Sequence, residues 1–147
     1  MFGGQVLIGA IMIAFTVVVH TMGIIGFITY LKFMNIRALG HRNYVGLVCR
    51  LVLVVLGIFF VHALEIWSWA FLYLWLEQFE SMERALYFST VTFTTLGYGD
   101  ITLDERWQLL SSFEAANGII LFGVSTAFVF TVIRMLLEAT SIIQPEN

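Results

Sequence analysis

Three long apolar runs, at residues 6–31, 45–76 and 109–137, set the limits on what this chain can fold into. About 20 residues at a rise of ~1.5 Å cross the ~30 Å hydrocarbon core of a bilayer, so each run is long enough to span it as a helix. The second run is longer than a span requires and is expected to tilt or to project beyond the bilayer. With 60% hydrophobic and 12% charged residues, a soluble domain of this size would lack the polar surface to cover itself. The chain therefore reads as an integral membrane protein in contact with lipid. A net charge of -3, with no basic stripe interleaved with aromatics, gives nucleic acid nothing to bind. The single cysteine, Cys49, lies among Leu47, Val48 and Leu51 and is expected to be a small buried residue.

The basic residues give the orientation. Lys32, Arg37 and Arg42 lie between the first two runs, Arg50 begins the second and Arg134 ends the third, so these ends are expected on the cytoplasmic side. The N-terminus is then outside and the C-terminus cytoplasmic. The connector between runs two and three is acidic, with Glu77, Glu80, Glu83, Asp100, Asp104 and Glu105 against Arg84 and Arg106, and is expected to face out. Trp67, Trp69, Tyr73 and Trp75, at the end of the second run, suggest an interfacial aromatic belt. Residues 84–94 form an amphipathic stretch preceded by Ser81 and Glu83, a helix start, but too short to span. A re-entrant helix fits that length. No span carries arginine at every third position, which argues against a voltage sensor.

After the short helix comes Thr94-Thr95-Leu96-Gly97-Tyr98-Gly99-Asp100. Non-helical backbone at membrane depth is tolerated only where protein buries it or it lines an aqueous path. Glycine at alternate positions opens backbone conformations closed to other residues, and rings of carbonyls can replace the hydration shell of a potassium ion. Here the sequence resembles the potassium channel pore-loop family, over Ala-Leu-Tyr-Phe-Ser-Thr-Val-Thr-Phe-Thr-Thr-Leu-Gly-Tyr-Gly-Asp at residues 85–100 and through both flanking spans. The resemblance implies an outer helix at 45–76, a pore helix at 84–94, a filter at 95–99 and an inner helix at 109–137, with 6–31 as an extra peripheral helix packed on the outer one. It also implies potassium sites at the carbonyls of Thr95, Leu96, Gly97 and Tyr98 and the Thr95 hydroxyl, with Gly99 closing the filter. Tyr87, Thr94 and Asp100 are implied as filter support, Asp100 bonding to Tyr87. Two positions depart from the family pattern: Leu96 replaces the usual valine or isoleucine, and Val91 stands where some members carry a glutamate. One pore loop per chain supplies a quarter of such a filter, so cyclic symmetry completes it as a homotetramer.

Gly118 and Gly123, in the third run, suit either close helix packing or a gating hinge of the kind the family's inner helix uses. Asn117, Ser125 and Thr126 could face cavity water or bond across helices. His20, His62, Glu65 and Glu114 are ionisable groups inside spans, where such groups normally face protein or water. If the first two spans form a hairpin about Leu39-Gly40, His20 and His62 fall at similar depths, with Glu65 on the same helix face as His62. Their open readings are an interhelical tether, a pH sensor, or a metal or haem site.

The expected fold is an all-α membrane protein, one domain over 1–147, with three transmembrane helices, a re-entrant pore helix and a selectivity filter in the tetrameric potassium channel architecture. The expected function is passive, non-enzymatic conduction of potassium, with K+ as the permeant ion, no cofactor and no small-molecule substrate. The alternatives are a weakly selective cation channel, a membrane metal or haem redox protein using His20 and His62, and an accessory channel subunit. Small size suggests a bacterial inner membrane.

Overall fold

The structure, a computed structural model, describes residues 2–33 and 44–139. Arg37, Arg42 and the Leu39-Gly40 turn lie outside the described residues. Among the described residues the chain is all-helical: α1 (Phe2–Phe33), α2 (Tyr44–Trp75), α3 (Met82–Phe93) and α4 (Gln108–Ala139). The three long helices have 32 residues each, about 48 Å, and all are apolar enough to span a membrane. At 12 residues, about 18 Å, α3 is too short to span. Large apolar side chains such as Leu7, Val18, Met22, Leu56 and Phe60 are exposed along the long helices, as lipid-facing surfaces require.

α2 stops at Trp75 because the chain closes a two-bond helix cap. Glu77 adopts φ 57°, its N–H donates to the Leu74 carbonyl at 2.9 Å, and the Gln78 N–H donates to the Tyr73 carbonyl at 2.9 Å. Glycine usually takes that left-handed position; here glutamate holds it. The turn starts the path to α3.

α1 does not pack on the outer helix alone. It contacts both α2 and α4. A β-carbon at Gly57 would lie 2.0 Å from the Phe27 ring, and one at Gly9 would lie 2.6 Å from the Phe113 ring. Bare backbone on α2 thus receives an α1 aromatic, and bare backbone on α1 receives an α4 aromatic. Close approach through small residues is how helices associate where lipid removes the hydrophobic drive.

Two clusters form the core. At the α3 end are Trp69, Tyr73, Phe88, Phe93, Leu103, Leu110 and Leu121; at the other end are Leu31, Val54, Ile58, Val132 and Leu136. The first corrects the aromatic-belt reading: Trp69 and Tyr73 are wholly buried, whereas Trp67 and Trp75 remain exposed. Spacing explains the split, since residues four apart share a helix face and that face of α2 meets α3. Cys49 is exposed, not buried. Its apolar neighbours mark a lipid-facing surface, and local sequence does not distinguish that from a core.

Candidate functional site

Ser81 caps α3, its hydroxyl accepting from the Arg84 N–H at 3.4 Å, and Glu83 in the first turn complements the positive helix end. Ala85, Phe88, Ser89, Val91 and Phe93 are the buried face that seats α3 on its neighbours. The far end closes with the same pattern that ends α2: Thr95 at φ 59°, its N–H on the Thr92 carbonyl at 2.9 Å, and the Leu96 N–H on the Val91 carbonyl at 2.9 Å. The Gly97 N–H also reaches the Val91 carbonyl, at 3.2 Å. Thr94 ties in through its hydroxyl, which donates to the Thr90 carbonyl at 2.7 Å.

From Thr95 the chain keeps alternating. Gly97 has φ 56° and Gly99 φ 75°, while Leu96 and Tyr98 between them stay negative. Every residue from Thr94 to Asp100 is exposed in the single chain, Leu96 at 55% and Tyr98 at 66%. A cavity of about 320 Å³ opens beside this segment, lined by Tyr87, Val91, Thr95, Gly97, Asp100 and Ser111 among others. The Tyr87 hydroxyl donates to Asp100 Oδ2 at 2.8 Å, joining α3 to the far end of the segment. That bond, with burial and the nearby negative charge adding to it, raises the Tyr87 phenol above its ordinary value of about 10. Beyond it, the Asp104 N–H donates to Gln78 Oε1 at 3.0 Å, tying the later part of the connector to its start.

Behind this segment three buried polar groupings cross the helices. In the first, Glu65 of α2 lies between two histidines: His20 Nδ1 of α1 is 2.9 Å from Oε1 and His62 Nδ1 is 2.8 Å from Oε2. Ser125 of α4 faces the other side, its Oγ 2.9 Å from His62 Nε2 and 3.3 Å from His20 Nε2. In the second, Glu114 of α4 accepts from the Tyr73 hydroxyl at 2.6 Å and from the Ser89 hydroxyl, and Ser89 also lies 2.8 Å from the Ile66 carbonyl. α2, α3 and α4 are thereby pinned at one point. In the third, Asn117 Nδ2 donates to the Thr16 hydroxyl at 2.7 Å, joining α4 to α1.

The two inner-helix glycines separate. A β-carbon at Gly118 would lie 2.0 Å from the Phe93 carbonyl oxygen, so this glycine admits the end of α3 against α4. At Gly123 nothing lies within 4 Å, and close packing within the chain does not require it.

A family model described as "Ion channel" matches residues 47–135, more than half of the 147. The chain belongs to this ion-channel family. No curated protein and no solved structure gave a match. In the channel, the matched stretch starts inside α2 and ends inside α4, taking in α3 and the 94–100 segment and leaving α1 outside.

Sequence reasoning placed Glu114 and Asn117 within a span but gave neither a partner. Ser89 and Tyr73, which hold Glu114, went unremarked as a pair. A signal was available: Ser89 lies four residues from both Ala85 and Phe93, on the apolar side of the amphipathic 84–94 stretch, and a polar residue there needs a partner.

Proposed function

We propose that the channel conducts potassium selectively, as a homotetramer, through the backbone of Thr95, Leu96, Gly97, Tyr98 and Gly99. The observation that carries this reading is the alternating sign of φ along an exposed segment that connects two spanning helices. Alternation of left- and right-handed residues lets successive carbonyls face one axis, which a continuous helix or strand does not allow. In one chain those groups have no partner across the axis. Three further copies around a fourfold axis supply the missing carbonyls, and K+ bound at Thr95, Leu96, Gly97 and Tyr98 satisfies them. The carboxyl end of α3 abuts the segment, and its negative dipole favours a cation there.

Tyr87, Thr94 and Asp100 brace the filter in this reading. Gly123 is the hinge candidate on α4, Gly118 acting by packing instead. His20, His62 and Glu65 tether α1 to the pore module. The acidic connector faces outside with the N-terminus, the C-terminus is cytoplasmic, and the host membrane is a bacterial inner membrane. Conduction is passive and catalyses no chemistry.

The test is flux from liposomes containing the purified protein, with potassium and sodium compared and barium added as a blocker. Fast potassium flux, slow sodium flux and barium block are expected. Equal permeability would leave a weakly selective cation channel in its place.

A further inference from the structure

His20, Glu65, His62 and Ser125 come from three helices, are each almost wholly buried, and close into a ring of four contacts. Four hydrogen bonds need four protons. Ser125 brings one, and two neutral imidazoles bring one each. One of the four contacts then sets lone pair against lone pair unless a further proton or a metal ion enters, and no water reaches the ring to relieve it.

We infer that His20, His62 and Glu65 form a binding site for a divalent transition-metal ion of the zinc class, with Ser125 orienting both imidazoles. One donor atom from each of the three residues lies within 4.8 Å of the others. A tetrahedral zinc ion, with bonds of about 2.0–2.2 Å to nitrogen and oxygen, holds its donors roughly 3.3 Å apart. The two nitrogen-to-carboxylate gaps of 2.9 and 2.8 Å are shorter than that and run to different carboxylate oxygens, and the three donors lie within 4.8 Å of one another, so the ion enters by parting the short gaps and drawing the donors onto itself, while the protons on Nδ1 shift to Nε2. Each imidazole then carries its proton on Nε2. Both Nε2 atoms already face Ser125 Oγ, whose two lone pairs accept from both. A metal-bound histidine normally donates its second ring N–H to an oxygen in this way, which fixes the tautomer. Two imidazoles and a carboxylate favour zinc, cobalt, nickel or copper over magnesium and calcium. A fourth position is left for water, or for hydroxide, which would cancel the remaining charge.

The consequence is mechanical. His20 lies on α1, and His62 and Glu65 lie on α2, so a bound ion clasps the helix outside the matched family region to the helix within it. The His62 ring also packs on Phe122, with centroids 4.4 Å apart, and lies 6.1 Å from Phe93 at the end of α3. Glu114 is not among the donors gathered here, and its carboxylate accepts instead from Tyr73 and Ser89.

The test uses the purified protein without a histidine tag, stripped with chelator and dialysed against zinc or cobalt. One ion per chain by elemental analysis is expected. Cobalt should give the visible bands of a tetrahedral nitrogen–oxygen site, and zinc should raise the melting temperature where equal magnesium or calcium does not. His20→Gln and Glu65→Gln should each weaken zinc binding at least about 100-fold, and Ser125→Ala about 10–100-fold, as loss of an orienting partner does. His41→Gln, changing the remaining histidine, should bind zinc like the parent. If those variants fail to assemble, the cobalt spectrum of the parent protein decides alone, and its absence overturns the site. Zinc that survives Glu65→Gln but is lost in His41→Gln also overturns it, as does a parent protein whose melting temperature responds to protons but not to zinc.

Discussion

The 94–100 segment and the His20–Glu65–His62–Ser125 ring are both polar and both lie among membrane-spanning helices, yet they meet the cost of that in opposite ways. The ring turns its polar atoms inward and partners them within one chain, with every member 6% exposed or less. The segment turns its polar atoms outward, leaving every residue exposed in the single chain. A buried polar group must find a partner, and the difference lies in where the partner comes from. For the ring, the side-chain partners are folded in, and an ion of the kind inferred above would add to them. For the segment, in the proposed reading, the partner arrives with other copies and with ions. Side chains serve where the role is to hold helices; backbone serves where the role is to hold and release something that passes, because binding there must stay weak enough for exit.

The contrast breaks most readily at Gly97 and Gly99, the glycines of the proposed filter. Gly97→Ala or Gly99→Ala places a β-carbon at φ 56° or 75°. A left-handed conformation costs a non-glycine residue roughly 1–2 kcal/mol, so the four chains of the proposed tetramer would accumulate roughly 4–8 kcal/mol in one filter. Thr95, at φ 59°, shows that the fold can hold a side chain in this region where its own N–H and that of Leu96 close the end of α3, whereas Gly97 makes the longer bond of 3.2 Å to the Val91 carbonyl. Selective potassium flux should disappear in both variants while tetramers still form. Retained selectivity would remove φ alternation as the basis of the ion sites.

The next effect in size belongs to Gly118. Its Ala variant must move either α4 or the last turn of α3, because the obstacle is the Phe93 backbone carbonyl rather than a side chain that can swing away. Overpacking of this kind costs typically about 1–3 kcal/mol, so a lower melting temperature with reduced flux is expected. Gly123→Ala meets no atom within 4 Å and should leave the melting temperature alone while lowering single-channel open probability. Unchanged gating in Gly123→Ala would end its candidacy as a hinge.

Much of this was legible in the sequence, and for different reasons in different places. The spans were read from length and apolarity alone, because lipid imposes both. α3 was legible from Ser81, Glu83 and a length too short to cross. The partners of Glu114 and Asn117 were not, since periodicity gives a face but not the neighbouring helix or its register. Trp69 and Tyr73 misled because an aromatic near the end of a span looks the same in sequence whether it meets the lipid headgroups or α3. The contact of α1 with α4 was hidden as well: Gly9 and Phe113 signal it only once both helices are placed.

Tyr87→Phe sharpens the comparison at a smaller scale, by removing the bond from the phenol to Asp100 without changing the ring's shape. The filter should remain selective but lose activity faster during sustained recording. Hydrogen bonding to Asp100 raises the phenol's pKa, so this brace is fully present below the ordinary value near 10 and is lost as pH rises through the higher folded-state value. Alkaline solution should therefore reproduce the Tyr87→Phe behaviour in the parent protein and add nothing in the variant. Additive effects would place the alkaline response elsewhere.

The smallest effect is expected at the ring, where the partners are internal and several. In metal-free protein, His20→Leu removes the contact to Glu65 Oε1, but Oε2 keeps His62 at 2.8 Å and His62 keeps Ser125 at 2.9 Å. Interhelical hydrogen bonds in membranes are worth about 0.6–2 kcal/mol, less than the same bond would suggest in isolation, because the undocked helix finds other partners. α1 also keeps its other anchors, Thr16 on Asn117 and Phe27 against Gly57. His20→Leu should thus lower the melting temperature slightly and make α1 easier to cleave by protease. His20→Gln, which can still donate to Glu65, should recover most of that loss. Equal loss in both variants would mean that the imidazole's shape, rather than its hydrogen bond, holds α1 in place, and an unchanged protease pattern in either would leave α1 held by Thr16 and the glycine contacts alone.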